Sequence, residues 1–511
     1  MHSSMWARAA KPTPVPDSDS QTHDAAVVDV GSNSVRLVMY RLEGRAIWTV
    51  FNEKVLAGLG RDLAGTGRLS PQGVETAMAA LRRFRALLDA AQIKTVFVAA
   101  TAAVREAIDG LSFVARVHAE TGFVIRVLTG EEEARYSALG VAAGLPQADG
   151  VVGDLGGSSL ELIRLRNGGD PGDGVTLPLG PFALGAPGPF DPARVGDEID
   201  AVLQDVTGFR TQMFHAVGGA WRNLALLHMR MTDYPLQIVH QYEMSGREAA
   251  DAARFISRQS KGSLERIDGA SKKRAETIPY AAAVLDALIR KLDVGRVVIS
   301  AYGIREGLLF DAMSPDVRGL DPLIEGAAAL GGRPAPAEEF GRALEHWLTP
   351  ALGVLPAVFG DRDPVLIAAA CRLADLGARL HPDHRADLVF EQVLRAPIPG
   401  MNHAERAFLA TTIFARHTAA ASPPEQAVLS KLLSSQAQRR ARALGAAIRL
   451  GCDLSGKSPP LLARSALSLD DETLTLSALK GRGDMLLGEP TRKRADTLAG
   501  VLGRRLVLDA G

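Results

Sequence analysis

Apolar and polar positions change rhythm several times along this chain, and each change marks an element. Val27-Val28 and Val35 to Tyr40 are short apolar runs bounded by turn residues, which predicts two strands joined through Gly31-Ser32-Asn33-Ser34. From Pro71 to Ala91 the apolar residues recur at helical spacing, and Thr95 to Ala100 reads as a buried strand. The stretch "VIRVLTGEEEARYSALGV" predicts a strand and then a helix with Ala134, Ala138 and Val141 on one face. Thr129 and Glu132 have capping-box spacing, and acids in a first turn suit the helix dipole, so that helix should begin near Gly130. Strand and helix alternate in this way to about residue 146, which is α/β character.

At residue 151 the plan starts again with "VVGDLGGSSLELIRL". Sliding the first hairpin by 125 positions (29 to 154) lays Asp29 on Asp154, Gly31 on Gly156, Ser34 on Ser159 and Leu37 on Leu162. A Gly/Pro-rich excursion from Asn167 to Pro192 follows, then helices, then the strand "RVVIS" running into "AYGIREGLLF". Beyond "LGGRPAPAEE", read as a linker, the chain is Ala- and Leu-rich with helical periodicity and a short strand-like end. The expected organisation is a disordered tail over 1–24, α/β domains over 25–146 and 147–320, and a mostly helical region over 321–511.

A single Asp-x-Gly-Ser turn is most often only a turn. Two in register, each opening an α/β half, suggest more. Glycine lets backbone approach a ligand, and successive N–H groups with serine hydroxyls cradle phosphate oxygens. The copies differ where the first has Arg36 and the second Glu161. Arginine pairs with phosphate, whereas carboxylates such as Asp154 and Glu161, on opposite sides of one turn, are ligands that Mg²⁺ prefers. The bland alternative for Glu161 is a solvent-facing position on an alternating strand.

Composition narrows the classes. At 511 residues the chain exceeds one core. Lys+Arg and Asp+Glu both total 58, so no global field draws in a polyanion, which argues against bulk nucleic-acid binding. No apolar run is long enough for a membrane span. Cys371 and Cys452 lack metal-ligand spacing, and with the polar N-terminus they point to a cytoplasmic protein.

With the duplicated hairpin in view, the chain resembles the exopolyphosphatase and guanosine pentaphosphate phosphohydrolase family, within the actin-like ATPase fold. The likeness covers roughly residues 25 to 316 and rests on "DVGSNSVRL", "ATAAVREA", "TGEEEARYSALGV", "GDLGGSSLEL", "AVGGAWRNLA" and "SAYGIREGLLF", in that order. It implies two actin-like, ribonuclease H-like α/β domains facing a cleft. It implies that Glu133 is the base for the attacking water, and that Asp154 and Glu161 bind Mg²⁺ or another divalent ion. It places Asp29, Ser32, Asn33 and Ser34 in a first phosphate loop and Gly156, Gly157, Ser158 and Ser159 in a second. Gly218 and Gly219 fall in a third glycine motif, and Arg105 matches an arginine that holds phosphate. A homodimer is implied by likeness alone. The chain departs from the family at Ser158-Leu160 in the second loop, at Ala220 after the third glycines, and at Ala374-Asp375, where a His-Asp phosphohydrolase pair would stand; the helical region thus resembles a degenerate domain of that kind.

Why Glu133 and not its neighbours? Glu131 and Glu132 are explained by capping, whereas Glu133 is followed by Ser137 and Gly140 on its own face, which reads as an open side of the helix. The reading that follows is a Mg²⁺-assisted exopolyphosphatase acting on inorganic polyphosphate. Guanosine pentaphosphate is the alternative substrate, and an ATP-dependent kinase or actin-like ATPase is the alternative of another class. The basic clusters "SKKR" (271–274), "RRAR" (439–442) and "TRKR" (491–494) are either solvated faces or the lining of a channel for a long polyanion.

Overall fold

A computed structural model describes residues 22–266, 275–332, 335–420 and 422–510. The basic cluster at 271–274, and the expected tail up to residue 21, lie outside the described residues. The chain divides into two compact units between Gly319 and Leu320.

The first unit holds two sheets of one design. Strands β1 (His23–Val30), β2 (Val35–Glu43), β3 (Ala46–Val55), β4 (Thr95–Ala100) and β5 (Arg126–Val127) form a sheet in the order β3-β2-β1-β4-β5. Strands β6 (Gly150–Leu155), β7 (Leu160–Leu165), β8 (Gly174–Leu177), β9 (Met213–Val217), β10 (Tyr242–Ser245) and β11 (Arg296–Ile299) form another in the order β10-β11-β9-β6-β7-β8. In each, an antiparallel hairpin is flanked by a third antiparallel strand on one side and a parallel strand on the other. The continuous run Ala25 to Val28 is fully buried, as a strand with neighbours on both edges and both faces requires. The fold is thus the duplicated α/β plan expected. β1 starts at His23, inside the range assigned to the tail.

Two helices tie the halves together. The helix Gly130–Gly144 starts at Thr129, whose side chain accepts from Glu132 N while Glu132 bonds back to the Thr129 amide. It packs against the helix Ile304–Ala312 with almost no side chain between them, because Gly140 meets the Gly303 carbonyl and Gly307 meets the Tyr136 carbonyl. Gly140 therefore marks a close backbone approach; the side of the helix read as open is closed there. Gly307→Ala should force these backbones apart and cost about 1–3 kcal/mol of overpacking. A drop in calorimetric unfolding midpoint, with the secondary structure unchanged by circular dichroism, checks this.

The second unit is largely helical, and its strand-like end is a three-stranded sheet: β12 (Ser465–Leu469) pairs antiparallel with β13 (Thr473–Ala478), which pairs parallel with β14 (Arg505–Asp509). The expected linker is mostly helix, because Gly331 ends the helix Pro322–Gly331 and Pro336 falls in the first turn of Ala335–Leu352, where proline is tolerated. Among the described residues no helix is long and apolar enough to cross a membrane.

Candidate active site

The two hairpin turns are built alike to the hydrogen bond. Gly31 N donates to Ser34 O at 3.0 Å, and Gly156 N donates to Ser159 O at 2.9 Å. Asp29 pairs with Arg36 across the first hairpin, and Asp154 with Glu161 across the second. Residues paired across antiparallel strands project to the same face, so each turn presents two charged groups side by side. The turns also meet: a methyl on Gly157 would come within 3.2 Å of Ser32 Cβ.

Each turn is braced from outside. Gly58 N and Gly60 N donate to the Asn33 and Ser32 carbonyls at 3.0 and 2.8 Å. The Gly/Pro-rich excursion does the same for the second turn, through Phe182 N to Gly157 O at 2.9 Å and Gly180 N to Ser158 O at 3.3 Å. With their carbonyls turned outward in this way, the amides of Ser32, Asn33, Gly157 and Ser158 have no hydrogen-bond partner among the described residues. Gly218, at φ +114°, begins the third loop against the Leu155 carbonyl, a conformation that glycine alone adopts readily.

These loops wall a cleft of about 200 Å³. Asp29, Ser32, Asn33, Ser34, Arg36, Glu133, Asp154, Gly156, Gly157, Ser159, Glu161, Gly218 and Gly219 all border it. Arg105 and Ser158 do not. Arg105 Nη1 donates to Leu128 O at 2.7 Å and to Glu133 Oε1, so the arginine expected to hold phosphate holds the expected base. Ser158 is turned toward Gly60, where it packs against the loop that braces the first turn.

Glu133 is 4% exposed and Glu161 3%, so the solvent-facing alternative for Glu161 is overturned. Glu131 is exposed, and Glu132 is used in the cap and in an ion pair with Arg126. Burial raises the carboxyl pKa of Glu133 to about 8, with the Asp154 and Asp29 charges adding to it and Arg105 opposing it. Burial likewise pushes up Asp29, Asp154 and Glu161, and Glu161 is raised further by Glu133 and Asp154. Ser137 Oγ donates to Asp154 Oδ2 and pulls Asp154 the other way.

The residues suit a hard divalent cation. Glu161 Oε1 is buried with no hydrogen-bond partner among the described residues, and Asp154 stands beside it across the hairpin. Among the described residues no three His, Cys, Asp or Glu side chains form a ready-made cage. Two carboxylates are nevertheless what Mg²⁺ commonly takes from protein, the rest being water and substrate phosphate.

Three cations that sequence reading passed over also line the cleft: Lys54, Arg222 and Arg305. Lys54 comes from β3, whose alternation was visible in "AIWTVFNEKV". Arg222 and Arg305 each lie just past a glycine of a quoted motif, at the start of a helix. The neighbour of Arg305, Glu306, accepts from Gly303 N at 3.0 Å and from Tyr40 Oη at 2.7 Å, and the charge of Glu306 favours that of Arg305. Its charge disfavours that of Arg36, after burial the largest reason that Arg36 lies below the ordinary arginine range. Cations crowded in this way match the outer oxygens of a polyanion.

The class that this fold and cleft define is a phosphoanhydride hydrolase built on two actin-like halves. The chain belongs to the Ppx/GppA phosphatase family, whose model matches residues 38–315. A second family model, "Exopolyphosphatase, C-terminal", matches residues 328–508. Exopolyphosphatase 1 of Mycobacterium tuberculosis is 27% identical over 332 residues, which is 60% of this chain and 95% of that protein. The Ppx/GppA family member of Aquifex aeolicus has a solved structure that matches with a TM-score of 0.50 and 25% identity, covering 57% of this chain and 97% of that one. An exopolyphosphatase of Cytophaga hutchinsonii matches in fold with a TM-score of 0.53 and 20% identity, covering 57% and 99%.

Proposed function

We propose that this chain is a cytoplasmic exopolyphosphatase that releases orthophosphate from the end of inorganic polyphosphate. The observation that carries the reading is the pair of matched hairpins, one presenting Asp29 with Arg36 and the other Asp154 with Glu161, on the wall of one cleft. The names of the relatives are consistent with it.

In this reading the terminal phosphoryl group lies between the two turns. The amides of Ser32, Asn33 and Gly157 donate to its oxygens. Arg36 and Arg305 neutralise the phosphates behind it. Glu133, buried and oriented by Arg105, takes the proton of the attacking water. Mg²⁺, when held by Asp154 and Glu161, supplies Lewis-acid charge at the transferred phosphoryl oxygens. Arg105 is a positioning residue here, because its guanidinium fixes the Glu133 carboxylate.

Phosphate release from long polyphosphate, short polyphosphate, guanosine pentaphosphate and ATP, each with and without Mg²⁺, tests the proposal. Metal-dependent release that is fastest from polyphosphate is expected. Preference for guanosine pentaphosphate would move the assignment to the alternative substrate, and turnover of ATP only with an acceptor would sink the hydrolytic reading.

The cation assignment has its own thermal test. A carboxyl whose folded pKa is raised stabilises the fold below its unfolded pKa, and that stability is lost as pH rises through the folded value. For Glu133 the loss runs from the ordinary carboxylate range up to about 8. In EDTA the unfolding midpoint should therefore fall between pH 5 and pH 8, and Mg²⁺ should raise it more at pH 8. An equal Mg²⁺ effect at both pH values would count against carboxylate ligation.

A further inference from the structure

The helix Gly130–Gly144 carries more than Glu133 to the cleft. Ser137 lies four residues on, so its side chain leaves the same face of the helix. Its hydroxyl is buried, at 1% exposure for the residue, and donates to Asp154 Oδ2. A serine in mid-helix is mildly unfavourable, and a buried hydroxyl needs a partner to avoid a desolvation cost. Here the partner is one of the two carboxylates assigned to the cation. From the sequence Ser137 reads only as a small residue on an open helix face.

The contact distinguishes the two oxygens of Asp154. Oδ2 faces protein on a second side as well, since a methyl on Gly303 would come within 3.8 Å of it. Gly303 is held there: its carbonyl is packed against Gly140, and its amide donates to Glu306, which accepts from Tyr40. Asp154 borders the cleft, and among the described residues no hydrogen bond reaches its Oδ1. One oxygen is thus bound to protein and the other is left for a ligand. Glu161 repeats the arrangement, because the Ser159 hydroxyl hydrogen-bonds its side chain while Oε1 has no partner among the described residues.

Carboxylates that offer one oxygen each do not suit all cations equally. Mg²⁺ takes single oxygens in a tight octahedron at about 2.0–2.1 Å, whereas Ca²⁺ takes six to eight at about 2.3–2.6 Å and accepts both oxygens of one carboxylate. A hydrogen bond to a ligating carboxylate fixes its orientation, and its loss commonly weakens metal affinity about 10- to 100-fold. The Ser137 bond also favours the ionised form of Asp154, against the burial that raises its pKa. We propose that Ser137 is a positioning residue that holds Asp154 as a one-oxygen ligand and thereby selects a small cation such as Mg²⁺ over Ca²⁺. The inference rests on the assignment of Asp154 and Glu161 to the cation.

The test is a thermal-shift titration of the metal-stripped full chain with Mg²⁺ and, separately, with Ca²⁺, for the wild type and Ser137→Ala. The quantity read is the ratio of the two half-saturating concentrations. In Ser137→Ala, Mg²⁺ loses an oriented ligand while Ca²⁺ gains access to the second oxygen, so the ratio should move toward Ca²⁺ by at least about tenfold. A serine that only steadies the fold would lower the unfolding midpoint in EDTA and leave that ratio where it was. Should Ser137→Ala fail to fold, Ser137→Cys, whose S–H is a weak donor, carries the same expectation. An unchanged ratio in a folded variant, with the wild type responding to Mg²⁺, would overturn the role of Ser137 alone. A wild type whose midpoint neither cation moves would overturn it together with the cation assignment, so the two failures are told apart.

Discussion

Glu133→Gln should lower phosphate release about 10²- to 10⁴-fold, the usual worth of a general base, while KM stays within a few-fold. The amide keeps the shape of the side chain, and its oxygen still accepts from Arg105 Nη1, so the substitution removes proton affinity and little else. A second readout separates a base from a structural acid. Glu133 is buried at a folded pKa near 8, so in EDTA the wild type loses stability as pH climbs through that value. Glutamine cannot ionise, and the variant's unfolding midpoint should fall less over the same range. The paired result, a large loss in kcat with a flatter stability profile, is what a buried base predicts. Activity within a few-fold of wild type would remove Glu133 from the mechanism.

How much of this was legible in the sequence depends on how local each feature is. The hairpins, the capped start of the Gly130–Gly144 helix and the strand Thr95–Ala100 are set by turn chemistry, capping and periodicity within a few residues, and the duplication was visible as a constant offset. Non-local features were harder to see. Gly140 looked like an open helix face because sequence cannot show that Gly303 is pressed against it. The Gly/Pro-rich composition of the excursion after Asn167 gave no sign that Phe182 and Gly180 hold the second turn by their amides. Arg105 sits in a helix that ends near the Glu133 side chain, and that proximity is created by packing of β4 and β5. Lys54, Arg222 and Arg305 reach the cleft from three separate elements, so no spacing rule joins them. The proline-rich "RPAPAEE" misled for a different reason: proline marks both linkers and first helical turns, and only neighbouring contacts decide between them.

Glu161→Gln carries the other large expected effect, and its signs are opposite for activity and stability. In the wild type the carboxylate is 3% exposed, its Oε1 has no hydrogen-bond partner among the described residues, and Glu133 and Asp154 add repulsion to the cost of burial. The Ser159 hydrogen bond and the Arg105 charge offset this only in part, so removing one of these charges should let the variant unfold at a higher temperature than wild type in EDTA at pH 8. With Mg²⁺ present the order should reverse. A cation bound at about 100 times its Kd adds about 2.7 kcal/mol to the wild type, and a variant that has lost one of two carboxylate ligands gains far less. Turnover should fall at least about 10²-fold, and the Mg²⁺ concentration for half-maximal activity should rise about tenfold or more. Differential scanning fluorimetry across a Mg²⁺ series, run beside phosphate release, measures both. A variant that is less stable than wild type in EDTA and equally responsive to Mg²⁺ would make Glu161 a structural acid, and the cation would have to be held by other cleft residues, Asp154 and Asp29 being the remaining hairpin carboxylates that border the cleft.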